Sequence, residues 1–304
     1  MIANANRLTP YLFLAPAVLI LAVALMYPVG YMIWASFLDW NPSQRIGEAE
    51  FVGLRNYINL FSEEAFLESM GVTLRFAAVA VSVEMVLGVS LALLLDRQLK
   101  GMTILRTVFI LPMMIAPIMV GLMWRDMYHP TVGILNRTLK SISLDPVPWL
   151  SDGGWAFTSV AIADVWQRTP FIIFLSLAAL QSLPCSAMEA ARIDGATGWQ
   201  MIVYIKLPLM LPALLVTALL RLIDAFKVLE VILVMTNGGP GLSTEIFALR
   251  ISRTASEFKE LGYTAAMSNL LLILLMILTL AMFFYGKVMD ARAARIRAES
   301  EEAH

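Results

Sequence analysis

Charged residues are scarce in this chain, at 15% of the sequence against 59% hydrophobic residues. Soluble proteins average about 25% charged and about 45–50% apolar residues, so the composition predicts an integral membrane protein. Cys185 is the only cysteine, which excludes an internal disulfide and a cysteine-cluster metal site. His129 and His304 are the only histidines, so a histidine-based metal site is not expected. The formal net charge of -1, without a dense basic run, gives no indication of nucleic-acid binding.

Motifs for nucleotide and hydrolase chemistry are missing as well. No G-x-x-x-x-G-K-[ST] phosphate-binding loop occurs, so any ATP that this protein uses must be bound by another subunit. No H-E-x-x-H or G-x-S-x-G motif occurs either, which argues against an intramembrane enzyme. We therefore expect no catalytic residue, no metal site and no bound cofactor on this chain.

About six apolar runs are long enough to cross a bilayer, since a membrane helix needs roughly 20 mostly apolar residues. They lie at residues 11–38, 73–95, 104–124, 155–180, 209–235 and 263–285. Long apolar runs without alternation fit helices rather than the strands of a barrel. The first run is longer than a signal-peptide core and lacks a clear cleavage site, so we expect it to be retained. The sequence predicts an all-α polytopic protein with a single transmembrane domain over residues 1–304.

Basic residues indicate which side of the membrane the loops occupy. An even number of spans places both termini on one side, and that side carries Arg97, Lys100, Arg106, Arg192, Lys206, Lys287, Arg292, Arg295 and Arg297. The positive-inside rule makes it the cytoplasmic side. The opposite loops are longer, acidic and rich in tryptophan, but they also contain basic residues, so the charge bias is modest.

A polar segment at residues 182–208 lies between the fourth and fifth apolar runs and must remain outside the bilayer. Ser186 stands three residues before Glu189, the spacing of a capping box at a helix start. Gly195 and Gly198 can adopt left-handed conformations that end a helix. Apolar residues then recur at helical spacing, at Trp199, Ile202, Ile205 and Leu209. The segment predicts a helix, a bend and a second helix. On composition alone, an ordinary amphipathic loop between two spans is equally compatible with these residues.

Several motifs along the chain match a known pattern. The polar loop reads EAARIDGATGWQMIVYIKLP from Glu189 to Pro208, and further motifs are FVGLRNY at 51–57, LRTVFILP at 105–112, TNGGPG at 236–241 and LGYTAAMS at 261–268. Together they resemble the permease subunits of binding-protein-dependent, ATP-driven carbohydrate importers, of the maltose and glycerol-phosphate type. In that family the polar loop is the EAA loop, which docks on the ATPase subunit. The resemblance covers essentially the whole chain.

The resemblance implies a type I ABC importer permease fold in a bacterial cytoplasmic (inner) membrane. It implies a second permease, which is a homologue or a copy, two ATPase subunits that bind ATP and Mg, and a periplasmic or lipid-anchored solute-binding protein. The cargo would be a sugar or sugar derivative, moved by alternating access. The residues that couple transport to the ATPase would be Glu189, Ala190, Ala191, Asp194, Gly195, Ile205, Leu207 and Pro208.

Charged residues inside the predicted spans mark candidate functional sites, because they are costly in a bilayer. The fifth run has Arg221, Asp224, Lys227 and Glu230 at steps of three residues. This spacing predicts either a ladder of ion pairs along one helix or a lining of the translocation path. Asp224 and Lys227 lie nearest the middle of the run, which favours them as path residues.

Other spans contribute further polar candidates. Asp164 and Arg168 are four residues apart and can pair beside Gln167, forming a polar hinge, although Asp164 could instead lie at the outer interface. Glu84 has no partner three or four residues away, so its counter-charge must come from another helix or subunit. Sugar recognition generally uses the faces of aromatic side chains, which makes Phe226 a candidate. The candidates for the substrate path are Glu84, Asp164, Gln167, Arg168, Phe226, Asp224 and Lys227.

Two other functions stay open on the sequence. A secondary transporter or channel would use the intramembrane charges as a relay and would not need a docking helix. A related ATP-driven permease could also carry a solute other than a carbohydrate. The membrane lipids are expected partners in every case.

Overall fold

The computed structural model describes residues 5–96 and 101–302, with side chains described for 11–96, 101–102 and 104–287. Arg97, Lys100 and His304 lie outside the described residues, as do the side chains of Arg292, Arg295 and Arg297. Helices dominate the described chain, which confirms the predicted all-α class. The chain folds as two compact units, residues 1–64 with 251–274 and residues 65–250 with 275–304. The single domain at 1–304, with its loop at 182–208, stays a prediction.

The first unit contains an exposed apolar helix and a small hairpin. Helix α1, Ala5–Ala35, is followed by two short antiparallel strands, β1 (Leu38–Asp39) and β2 (Glu50–Phe51), and by helix α2, Arg55–Ser62. Asn56 on α2 is buried, and its Nδ2 donates to the Ser36 and Leu38 carbonyls at 2.9 and 3.0 Å. This amide therefore fixes the chain where α1 leaves its apolar run.

The second unit holds most of the remaining helices. They are α3 (Glu64–Leu95), α4 (Met102–Ile110), α5 (Pro117–Met127), α6 (Ile134–Ser141), α7 (Gly153–Gln181), α8 (Cys185–Ile193), α9 (Gly198–Met201), α10 (Leu207–Ala225) and α11 (Glu230–Met235), where only the first residue of α3 belongs to the first unit. Helices α12 (Phe247–Arg253) and α13 (Leu261–Glu302) have residues in both units. Among the long apolar helices of the described chain, α7 is the most buried, so it lies at the centre of this unit.

Five helices of the described chain are long and apolar enough to cross a membrane, or six crossings if a bent pair counts as one. The five are Tyr11–Ala35, Glu64–Leu95, Gly153–Gln181, Gly198–Ala225 and Leu261–Lys287. The prediction of about six spans is confirmed in this sense. The third predicted span is not straight, because Ile104–Met114 and Pro117–Met127 meet at 95°. Ala116 is extended and Pro117 cannot donate a backbone hydrogen bond, so the helix cannot continue there.

The fifth predicted span also differs from the structure. We expected one helix over residues 209–235, but α10 ends at Ala225 and α11 begins only at Glu230. Phe226 and Val228 are 2% and 4% exposed, while Lys227 between them is exposed. Leu229, directly before α11, has φ −128° and ψ −55°, which lies outside the α-helical region, so the two helices are separate.

Candidate functional site

Charged side chains from three helices meet in the interior of the second unit. Glu84 on α3, Asp164 on α7 and Arg221 on α10 are at most 1% exposed. The Arg221 Nε and Nη2 atoms donate to the two Glu84 carboxylate oxygens at 2.5 and 2.9 Å, and Nη2 also donates to Asp164 Oδ2. One guanidinium thus bridges carboxylates of two other helices, and the planar fork of arginine suits this geometry.

Small residues on α3 make room for this contact. Ala80, Glu84, Gly88 and Ala92 recur every four residues on the buried face of the helix. A Cβ on Gly88 would lie 2.5 Å from the Ile172 Cβ of α7, so only glycine permits this approach of the two helices. Small residues are typical of close helix packing in membranes. The sequence of α3 therefore brings the Glu84 carboxylate within reach of α7 and α10.

Glu84, Asp164 and Arg221 form a buried triad, and a partly exposed ion pair lies next to it. Arg168 Nη1 lies 3.2 Å from Asp224 Oδ2, and Arg168 Nε lies 4.0 Å from Asp164 Oδ1. The side chains of Arg168 and Asp224 are 30% and 45% exposed. Charges of alternating sign therefore run from the buried Glu84 to the accessible Asp224. We call these five residues, Glu84, Asp164, Arg168, Arg221 and Asp224, the ionic cluster.

Some buried polar atoms of this region have no hydrogen-bond partner among the described residues. They are Asp164 Oδ1, Gln167 Oε1, Arg168 Nε and Arg221 Nη1. Leaving a buried polar group unsatisfied costs roughly 1–3 kcal/mol, and more for charged groups. Bound water is the usual partner of such buried polar groups.

The structure brings together four of the seven predicted path residues, Glu84, Asp164, Arg168 and Asp224. As predicted, the counter-charge of Glu84 comes from another helix. Asp164 is 0% exposed, so its carboxylate faces the protein interior.

The other three candidates lie outside the ionic cluster. Gln167 is buried beside it, and its Nε2 donates to the Ile115 carbonyl at 2.8 Å, which fixes α7 to the bend between α4 and α5. Phe226 is buried and Lys227 is exposed in the break after α10. An aromatic face at Phe226 is therefore not accessible to a solute in this structure.

The predicted ladder of ion pairs along residues 221–230 is wrong. Arg221 pairs with α3 and α7, and Asp224 pairs with Arg168. Because α10 ends at Ala225, Lys227 and Glu230 lie outside its helical repeat. The sequence reasoning left Arg221 out of the path candidates, although Glu84 lacked a cation and Arg221 lies one turn from Asp224.

The polar loop between α7 and α10 has the predicted helix, bend and second helix. Helix α8 ends at Ile193, and Gly195 follows with φ +79°, the left-handed conformation that favours glycine. Thr197 then caps α9, because its hydroxyl accepts from the Gln200 N–H at 3.3 Å and its own N–H donates to Gln200 Oε1 at 2.8 Å. The bend is therefore built into the local sequence.

Two details of the loop were predicted wrongly. Ser186 does not cap a helix, since α8 begins at Cys185 directly after Pro184, and the capping box belongs to Thr197 and Gln200. Gly198 is not left-handed but opens α9. Pro184 is the residue before α8, and no side chain caps the helix there.

The surface of this loop is polar but carries large apolar side chains. Glu189, Ala190, Asp194, Gly195 and Pro208 are exposed, Ala191 is buried, and Ile205 and Leu207 are half-buried. Ile193, Trp199 and Tyr204 are 87%, 72% and 73% exposed. Apolar exposure beside charged groups is typical of an interaction surface.

The loop is firmly joined to the helices on either side. The second helix is continuous from Gly198 to Ala225, through a wider turn at Ile202–Lys206. Lys206 Nζ lies 3.0 Å from Asp96 Oδ2, which ties the start of α10 to the end of α3.

Residues 84–295 match the family described as the inner membrane component of binding-protein-dependent transport systems. The chain belongs to this family.

Relatives of this permease are similar along nearly their whole length. It is 37% identical to the trehalose/maltose transport system permease protein MalF of Thermococcus litoralis, over 91% of this chain and 93% of that protein. It is 30% identical to the sulfoquinovosyl glycerol transport system permease protein SmoG of Agrobacterium fabrum, over 90% and 89% of the two chains. These relatives are transport permeases, and the family is located in the inner membrane.

A solved structure has the same fold. A bacterial ABC transporter involved in the import of the acidic polysaccharide alginate contains a chain that aligns with a TM-score of 0.80 and 22% identity. The alignment covers 93% of this permease and 96% of that chain. The permease therefore has the fold of an ABC importer permease, as the sequence motifs predicted.

Proposed function

We propose that this permease imports a sugar or sugar derivative across the bacterial inner membrane as one subunit of an ATP-driven importer. The observation that carries the proposal is the helix–bend–helix loop, which presents charged and apolar side chains outside the bilayer and continues directly into α10. The cargoes of the relatives, which are trehalose, maltose and sulfoquinovosyl glycerol, support a saccharide. A polyol, an oligosaccharide and an anionic sugar all fall within this class.

The remaining subunits follow from the same proposal. A solute-binding protein, periplasmic or lipid-anchored, delivers the cargo, in keeping with the family description. A homologous second permease completes the path, and two ATPase subunits bind ATP and Mg and dock on the loops. This chain itself binds no cofactor or metal and catalyses no reaction.

The coupling surface comprises the exposed edge of the loop and the turn that leads into α10. Exposed carboxylates at Glu189 and Asp194 lie beside the exposed Ile193 and Trp199, which gives the mixed polar and apolar character of a docking site. Buried and half-buried members of the motif hold the shape of the loop. The full set is Glu189, Ala190, Ala191, Asp194, Gly195, Ile205, Leu207 and Pro208.

Movement of the loop reaches the ionic cluster through α7 and α10. Near the loop these helices share an apolar cluster in which Leu177 and Leu180 of α7 accompany Met210 of α10. At the far end Arg221 and Asp224 of α10 pair with Asp164 and Arg168 of α7. The two helices are therefore tied at both ends of α10. In alternating access, closure of the ATPase subunits moves the loop and this helix pair as one body.

Arg168 and Asp224 are the members of the ionic cluster that can contact the cargo. Both are partly exposed, whereas the other three are buried. A guanidinium and a carboxylate can donate to and accept from the hydroxyl groups of a sugar. The unsatisfied atoms of Gln167 and Asp164 lie nearby but are buried, so they do not contact the cargo in this conformation.

The test is co-purification of the permease from native membranes in mild detergent, with every partner identified by mass spectrometry. Wild type should recover an ATPase and a second permease, and Glu189→Lys should weaken recovery of the ATPase. Glu68→Lys is the matched control, because it makes the same charge change at an exposed site on α3. Equal ATPase recovery with Glu189→Lys would overturn the coupling role, and a stable, active chain without partners would favour a channel or secondary transporter.

A further inference from the structure

An apolar groove lies between α10 and α13 within the second unit. It has a volume of about 360 Å³, and its walls include Leu211, Leu215 and Leu219 of α10 with Met282 and Phe283 of α13. Both helices belong to the membrane-spanning set, so the groove lies at the depth of lipid chains. Its walls can therefore exclude water from an inserted hydrocarbon chain.

The position of the groove along the membrane is fixed by its two helices. Pro208 lines it where α10 leaves the polar loop, and Lys287 lines it where the span of α13 ends. The groove thus opens at the membrane face that carries the loop. A lipid with its headgroup at this face would place a chain beside the start of α10.

Lys287 gives the mouth of the groove a positive charge. Its Nζ lies 4.7 Å from the centre of the Phe283 ring, which holds the ammonium group over the groove wall. Its side chain is exposed, and no carboxylate pairs with it among the residues whose side chains are described. Lys206, at the turn that leads into α10, pairs with Asp96 instead. Lys287 therefore provides an exposed cation at the mouth of the groove for an anionic headgroup.

The groove also has free space next to its charged end. A Cβ added to Gly286 would meet no atom within 4 Å, so this residue leaves the mouth open. A larger side chain at this position would extend into the groove without displacing the helices. This provides a means to block the groove while leaving Lys287 in place.

We propose that this groove binds an anionic phospholipid, with one acyl chain between α10 and α13 and the phosphate group at Lys287. Charge complementarity selects this occupant, since an uncharged partner would use only the apolar walls. The bound lipid packs against the first turns of α10, directly after the proposed coupling loop. The proposal requires the membrane location of the chain and does not depend on which solute is transported.

The experiment measures lipid retained by the purified assembly, or by the full chain alone if no assembly is recovered. The protein is reconstituted in bilayers of phosphatidylcholine with phosphatidylglycerol, extracted in mild detergent, and examined by native mass spectrometry. Wild type should retain phosphatidylglycerol in preference to phosphatidylcholine. Lys287→Gln should lower this preference about fivefold, the effect of removing one surface cation. Gly286→Leu should abolish retention of the lipid, while Lys259→Gln, before the other end of α13, should leave it unchanged.

Any result that differs from these expectations would overturn the proposal. Equal retention of the two lipids, or a preference unaffected by Lys287→Gln, would mean that the charge selects nothing. Unchanged retention with Gly286→Leu would place the lipid elsewhere. If Gly286→Leu instead prevents recovery of a second protein chain, the groove is a subunit interface. Near-native melting temperatures for both variants exclude unfolding as the cause.

Discussion

At the residue scale, Arg221 holds the buried triad together. Removing one partner of a buried ion pair leaves an uncompensated charge and costs roughly 3–5 kcal/mol. We therefore expect Arg221→Met to destabilise the permease by about this amount, which thermal unfolding in detergent can measure. Glu84→Gln and Asp164→Asn added to Arg221→Met should recover part of the loss, because no buried carboxylate then remains unpaired. Wild-type stability for Arg221→Met alone would contradict this role.

The partly exposed pair of Arg168 and Asp224 should behave differently from the triad. Exposed ion pairs contribute about 0.2–1 kcal/mol, so Asp224→Asn should change stability little. If this pair lines the path, the same variant should lower sugar uptake in reconstituted vesicles. Asp224→Glu keeps a carboxylate that can pair with Arg168, so it should retain part of the uptake. Asp145→Asn, an exposed site outside the cluster, is the control, and unchanged uptake with Asp224→Asn would remove the pair from the path.

At the scale of elements, the bend between α8 and α9 depends on Gly195. Its φ of +79° is left-handed, and an L side chain there costs roughly 1–2 kcal/mol. We expect Gly195→Ala to distort the loop and to reduce both ATPase recovery and uptake, while the folded permease still reaches the membrane. Gly198→Ala is the matched control, since Gly198 is not left-handed and a Cβ there would meet nothing within 4 Å. Equal effects of the two variants would contradict the prediction.

At the scale of the whole molecule, the energy source separates the proposed importer from a secondary transporter. In the proposed importer, ATP is bound by separate ATPase subunits, because this chain has no phosphate-binding loop. In vesicles holding the full assembly, uptake should require ATP on the side of the ATPase subunits and should persist when a protonophore collapses the proton gradient. Uptake driven by the gradient without ATP would instead make the ionic cluster a proton relay.

The sequence by itself determined the membrane class, the approximate set of spans and the loop with its bend. These are local properties, since hydropathy, a left-handed glycine at Gly195 and proline breaks act within a few residues. Only the tertiary structure decided that Arg221 joins Glu84 and Asp164, which lie 137 and 57 residues away along the chain. Helical spacing favoured Asp224 as the partner of Arg221, but burial of both carboxylates beside α10 outweighed that local choice. Pairing across helices depends on which faces pack together, and spacing within one helix does not specify those faces.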